Sequence, residues 1–351
     1  MPWLPRFLRS SRQKTLDAAL KEAAQVPPAL PPQPDGPDAP PESWAAALGL
    51  PVEALAGVGP PFLPGEAEVA RQVSAHFDAH RPGPASFPAV ALNVLELLRD
   101  PKLDAGALAR AIELDMALSA GVLALANSAV FRGVSKVETL REGVARLGLT
   151  EVARLAAALS TRSLYRGMRA ELELFGGIWD RLFHHAATVA RAGAELTQAR
   201  RLGDPDRVFL GGMLHDVGKS LALRSLGALV VEGRVDRPGP EAVERILHQL
   251  HVQIGAEAHR EWGLPEGLTA IATRHHLPDL GGGAGQEELH VVRLCSAMDL
   301  SRVAPGASWE APAEAVDSAR ALGLGPTRVG ALRAALAEHA EWVRMLFGAA
   351  Q

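Results

Sequence analysis

The sequence predicts an all-α protein, and three observations carry that expectation. Alanine and leucine abound while the 351 residues hold a single tyrosine and few isoleucines or threonines, the residues that strands favour. Apolar residues recur at three- and four-residue spacing rather than alternating. The periodic stretches stop at glycine, proline or Asp-Pro, which end helices by backbone geometry or by a missing N–H. Hydrophobic residues at 48% and charged residues at 22% are ordinary for a globular chain, which is long enough for one large domain or two smaller ones.

Several classes are excluded at this level. A net charge of −4 gives no bulk electrostatic basis for nucleic acid or an anionic membrane as partner. The lone Cys295 excludes an internal disulfide framework and fits a reducing cytoplasm. No uninterrupted apolar run reaches the ~18 residues of a transmembrane helix. The opening MPWLPRFLRSSRQK lacks the continuous apolar region of a secretory signal, so a cytoplasmic location is expected.

In chain order, residues 1–26 read as a basic amphipathic segment, with Trp3, Leu4, Phe7 and Leu8 on one face among Arg6, Arg9, Arg12 and Lys14. A solvated terminal helix suits it better than a membrane-surface or docking segment. Residues 27–41, PPALPPQPDGPDAPP, are too proline-rich for helix and read as an extended, semi-rigid linker. Residues 42–84 form a helical extension interrupted by the turn-rich Gly57–Pro64. His76 and His80 sit four apart there, a chelating spacing, but no acidic partner lies nearby and a solvated surface is expected.

From Phe87 the pattern becomes regular. An apolar stripe ends at Asp100-Pro101, and Asp104 is placed to cap the next helix, which continues through Leu108 and Ile112. Another helix opens at Leu118-Ser119 and closes at Asn127-Ser128, residues that a capping or turn position selects. The segment Val137–Leu147 stops at Gly148, where glycine accepts a positive φ, and Leu149–Leu164 is again helical. Short helices with short links make a compact bundle.

The second half is rich in histidine, with nine of the 12 falling between His184 and His290. His184-His185 lie on a predicted helix, and His215-Asp216 fall at the end of a helical segment spanning Arg207–Val217. His248 and His251 share a face with Gly255 and His259, and His275-His276 follow the turn Trp262–Pro265. Imidazoles on successive helices around a His-Asp pair suit a cavity holding one or two metal ions. Nitrogen mixed with carboxylate oxygen favours Mn, Fe, Zn or Ni over Ca, and such ions activate water against a phosphoester. Lys219 is the one catalytic candidate, able to neutralise a phosphate oxygen or to serve as a charge near a helix end.

The run FPAVALNVLELLRDPKLDAGALARAIELDMALSAGVLALANSAVF resembles the amino-terminal part of an HDOD domain. Asp115, Leu118-Ser119 and Asn127-Ser128 fall on its Asp-Pro-x-Leu-Ser and Asn-Ser signatures, with Met116 in place of the usual proline. The segment VETLREGVARLGLTEV resembles the family's next helix. The histidine half is similar to the HD phosphohydrolase superfamily, of which HDOD and HD-GYP domains are branches. On that resemblance His185 is the first histidine, His215-Asp216 the doublet, His251 the histidine of a His-x-x-x-Gly segment, and His275-His276 the later pair. The resemblance implies an all-α HDOD/HD-type helical bundle over residues 85–300, with helices of 301–351 packing on it. It also implies a metal set of His185, His215, Asp216, His251, His275 and His276.

Three departures bear on chemistry. Ser296 stands where active HD enzymes carry a closing aspartate, with Asp299 one turn on. Arg181 replaces an acidic residue of the HD-GYP branch, and Leu277-Pro278-Asp279 replaces its Gly-Tyr-Pro motif. Fewer carboxylates leave dication charge uncompensated and favour at most one metal. The implied function is that of a cytoplasmic, bacterial-type HDOD signal-transduction regulator, largely non-catalytic. It would act through a protein partner or a ligand such as a nucleotide and keep a residual divalent-metal site (Fe, Mn, Zn or Ni). The alternative is a metal-dependent phosphohydrolase acting on a nucleotide or cyclic dinucleotide.

Overall fold

The computed structural model describes residues 62–113, 115–128, 131, 135–277, 286–299 and 312–348, with three positions between 43 and 47. The amphipathic segment 1–26, the linker 27–41 and residues 57–61 of the Gly57–Pro64 turn lie outside the described residues. Among the described residues every regular element is a helix, as the composition and periodicity required. Among the described residues there are two compact units, one holding residues 87–163 and the other residues 62–86 together with those from 164 to 348.

The first helix whose bounds are described in the larger unit is α1 (Glu66–Ala79). The smaller unit contains α2 (Val90–Leu97), α3 (Ala105–Glu113), α4 (Met116–Ala126), α5 (Leu140–Leu147) and α6 (Leu149–Thr161). Its core is apolar at helical spacing, with Leu108, Ile112, Leu118, Val122 and Leu125 almost entirely buried. Asp104 caps α3 as expected, its Oδ1 accepting from the Ala107 N–H at 2.7 Å. Asp115 does the same for α4, accepting from Leu118 N at 3.0 Å. Met116 therefore occupies the first helical position, where proline is favoured for its fixed φ but not required, and its side chain is exposed. Asn127 donates to the carbonyls of Leu123 (2.9 Å) and Val137 (2.8 Å) and accepts from Val137 N (2.8 Å). It stitches the end of α4 to the approach to α5, which is a structural task. Gly148 joins α5 to α6 at φ 92°, a region only glycine enters without strain.

The larger unit continues with α7 (Arg169–Arg200), kinked at Phe175, then α8 (Pro205–Leu214), α9 (Val217–Val231) and α10 (Pro240–Glu261). Next come α11 (Glu266–Arg274), α12 (Glu287–Met298), α13 (Pro312–Ala321) and α14 (Pro326–Phe347). Helix α8 runs along α7, α9 along α10, and α12 against both α7 and α13. Residues of α13 and α14, among them Ala319, Val329, Leu332 and Leu336, share one core with Val291, Val292 and Leu294 of α12. Helix α1 packs on α9 and α10, fixed by a buried pair in which Arg245 Nε donates to both carboxylate oxygens of Glu66 at 3.0 and 2.9 Å.

Two glycines set the crossings that matter. A Cβ on Gly212 would lie 2.5 Å from Ala190 Cα, so glycine lets α8 meet α7 backbone to backbone. A Cβ on Gly218 would lie 1.9 Å from the His251 carbonyl oxygen, so glycine is required where α9 crosses α10. The helix expected through Val217 ends instead at Leu214. His215 is its C-terminal cap, and Asp216 opens α9 at φ −106°, ψ 12°. The break turns both side chains of the doublet into the interior between the two crossings.

A candidate polyhistidine metal centre

Four parts of the larger unit meet around Asp216. His185 comes from the middle of α7, His215-Asp216 from the α8–α9 corner, His251 from the middle of α10, and His275-His276 from the end of α11. The Asp216 Oδ2 faces His185 Nε2 and His215 Nε2, both at 3.5 Å. Its Oδ1 faces His251 Nε2 at 3.4 Å and His275 Nε2 at 3.6 Å. The six residues named from the sequence thus fall into two overlapping groups, His185–His215–Asp216 and Asp216–His251–His275–His276. Within each group the ligand atoms lie within 4.8 Å of one another.

The hydrogen bonds behind the rings decide what faces forward. His215 Nδ1 donates to the Gly212 carbonyl (2.8 Å), His251 Nδ1 to the His248 carbonyl (2.6 Å), and His275 Nδ1 to the Ile271 and Ala272 carbonyls (both 3.1 Å). His185 Nδ1 donates to Asp299 Oδ2 at 2.7 Å, and His276 Nδ1 to Glu314 Oε2 at 3.1 Å. A carbonyl can only accept, so each of those Nδ1 atoms carries the proton and the neutral ring presents a bare Nε2 lone pair. Yet His185 Nε2 approaches His215 Nε2 at 3.2 Å, and His251 Nε2 approaches His275 Nε2 at 3.4 Å. Lone pair facing lone pair in a dry interior is unfavourable unless a cation lies between them. The donor set therefore fits a borderline divalent ion held by imidazole and carboxylate.

The electrostatics agree. Burial lowers His215 well below its ordinary value, and the neighbouring rings of His185 and His275 add to this against the opposing pull of Asp216. Burial likewise lowers His251, reinforced by the Lys219 ammonium, and lowers His276, reinforced by His275 and His251. Burial pushes Asp216 upward, but Lys219 and the surrounding rings outweigh it and hold the carboxyl well below the usual carboxylate range. Lys219 Nζ donates to Asp216 Oδ2 at 2.6 Å, and both groups are buried. The lysine is therefore an internal counter-ion on the oxygen facing His185 and His215.

Ser296 on α12 faces the same side, its Oγ 3.1 Å from His215 Nε2 and 3.4 Å from His185 Nε2. Asp299 caps α12 behind His185 and orients that ring from outside the centre. Arg181 points elsewhere, pairing with Glu244 at 3.1 Å. His76 and His80 stack on α1 with ring centroids 4.3 Å apart and join neither group. Sequence reasoning missed Glu314, which lies 38 residues from His276 on a different helix and carries no local signal.

An all-helical protein built around a buried polyhistidine–carboxylate centre is the class that fold and site define. The chain belongs to the HDOD domain family, which matches residues 85–278. An HDOD domain protein of unknown function from Geobacter sulfurreducens is similar in structure at 19% identity and a TM-score of 0.55, covering 80% of this chain and 99% of its own. A candidate signal transduction protein from Marinobacter aquaeolei VT8 is similar at 20% identity and a TM-score of 0.54, covering 82% of this chain and 66% of its own. A candidate metal-dependent phosphohydrolase from Shewanella amazonensis SB2B is similar at 19% identity and a TM-score of 0.50, covering 74% and 99%. At such identities the likeness speaks to fold alone. No curated protein matches the chain. Among the described residues no helix is long and apolar enough to cross a membrane.

Proposed function

We propose that this HDOD protein is a cytoplasmic signalling regulator that works by binding a protein partner or a ligand, and that its polyhistidine centre holds one divalent cation without turning over a substrate. The observation that carries this reading is the Lys219 ammonium seated 2.6 Å from Asp216 Oδ2. Two dications flanking one carboxylate need both of its oxygens, and a buried ammonium on one of them repels an ion on that side. Ser296 adds a neutral hydroxyl there where a carboxylate would be needed. The other side offers Asp216 Oδ1 with His251, His275 and His276, four nitrogen and oxygen donors suited to Fe, Mn, Zn or Ni. When bound, the ion would supply charge that cross-links α9, α10 and the end of α11.

A second reading, a metal-dependent phosphohydrolase acting on a nucleotide or cyclic dinucleotide, draws on the position of the same lysine beside the His185–His215 side. An arriving phosphate could compete with Asp216 for the Lys219 ammonium and open the His185–His215 side. Elemental analysis of purified protein, paired with assays on nucleotides and cyclic dinucleotides after Mn or Fe loading, separates the two. One ion per chain without turnover is expected. Two ions with hydrolysis that His215→Ala abolishes would reverse the order, and the absence of any stoichiometric metal would defeat both.

A further inference from the structure

The centre's outer carboxylates differ in where they come from. Glu314 stands in the first turn of α13, beyond residues 85–278 that define the domain. Its Oε2 accepts from His276 Nδ1 at 3.1 Å, with Oε1 at 3.4 Å from the same nitrogen. Arg293 Nε of α12 lies 3.9 Å from Glu314 Oε2, and that arginine is almost fully buried. On the far side of the His276 ring, Nε2 is buried without a hydrogen-bond partner.

We infer that Glu314 is the positioning residue of the metal centre, fixing His276 as a ligand from a helix outside the domain. The inference rests on the one-cation reading above. His251 and His275 lean on neutral carbonyls, whereas His276 leans on an anion. A carboxylate on Nδ1 fixes the tautomer and the ring plane and makes Nε2 a stronger donor. Charge points the same way. Lys219 spends much of the Asp216 charge, so a dication on the Oδ1 side lacks a neutralising anion. Glu314 supplies one through a single imidazole. The cation's affinity is thereby tied to α13 being docked, because Glu314 reaches His276 only while α13 packs on α12.

Calorimetric titration of the full chain with Zn²⁺ and with Mn²⁺ tests this. Glu314→Ala is expected to weaken binding by about 10–100-fold, the usual effect of losing such a partner. Glu314→Gln keeps an acceptor but loses the charge and should fall in between. Glu244→Gln, at a carboxylate that pairs with Arg181 away from the centre, should leave affinity unchanged. With Co²⁺ as the probe, the visible spectrum of Glu314→Ala should shift as His276 is released, which a purely structural role would not cause. Wild-type affinity in both Glu314 variants overturns the inference and leaves the one-cation reading standing. Weaker binding with an unchanged cobalt spectrum and a lowered apo melting temperature also overturns it, in favour of a packing role. Failure of the wild-type chain to bind either metal removes the inference and the reading together.

Discussion

Asp216 and Lys219 form the most consequential pair of side chains, because each is the other's reason for being charged in a dry interior. Asp216→Asn keeps the volume but removes the charge that faces the Lys219 ammonium, and breaking a buried ion pair from one side costs about 3–5 kcal/mol. Urea unfolding at neutral pH should show a loss of that size; a loss below about 1 kcal/mol would mean that the lysine simply turns to solvent. His259 gives a pH prediction. It is fully buried, and desolvation brings it from 6.5 to about 4, with the Leu214 backbone offsetting only part of the shift. Between those two values the unfolded chain binds a proton that the native chain refuses, so stability falls as pH drops from 6.5 toward 4. The window corresponds to roughly 3 kcal/mol for this ring alone. His259→Leu should flatten the stability-versus-pH slope there, and an unchanged slope would assign the loss to other groups. His215, His251 and His276, lowered in the same direction, steepen the wild-type slope further.

Among elements, the crossing of α9 over α10 has the least slack. Gly218→Ala drives a methyl into the His251 backbone, with no flexible side chain to move aside. Overpacking of this kind costs roughly 1–3 kcal/mol or more, and it displaces the turn that carries His215 and Asp216. Gly255, on the other face of the same crossing, has its nearest neighbour at 3.6 Å, an ordinary contact. Gly255→Ala should therefore be much milder in a thermal melt, and equal effects would refute this account of the crossing. The attachment of α1 can be tested in the same manner. Glu66→Gln removes the charge of Arg245's nearer carboxylate while Glu241 Oε2 stays 3.7 Å away, and should cost about 1–3 kcal/mol, whereas the double change Glu66→Leu with Arg245→Met should recover most of the loss. Failure of the double variant to recover would show that the pair supplies more than mutual neutralisation.

For the whole molecule, the centre ties helices from distant parts of the sequence to one point. A cation that binds only the folded arrangement stabilises it by mass action, by about 2.7 kcal/mol at 100 times its dissociation constant. Melting should therefore shift upward with Zn²⁺ or Mn²⁺ and downward with a chelator. A melting temperature indifferent to both would place any bound metal outside the folded core. The same coupling gives a route from metal occupancy to the outer helices, since α13 carries Glu314 and shares its core with α12.

Helix content, the caps at Asp104 and Gly148 and the His-Asp doublet were all legible in the chain, because capping and helical periodicity act over three or four residues. The order of the motifs was equally legible, and with it the family. The end of α8 was misplaced by three residues, since no proline or glycine stands at His215 to mark the break, and the need for glycine at 218 becomes visible only where α9 crosses α10 at His251. Likewise the sequence places Asp299 one turn beyond Ser296 without a role, and only the packing of α12 on α7 made it the partner of His185 Nδ1. Residue identity decided which groups could bind a cation. Which nitrogen each ring presents, which oxygen Lys219 occupies and which helix supplies Glu314 depend on how helices cross. A crossing is set by backbone approach between residues far apart in the chain, and no window of neighbouring residues contains it.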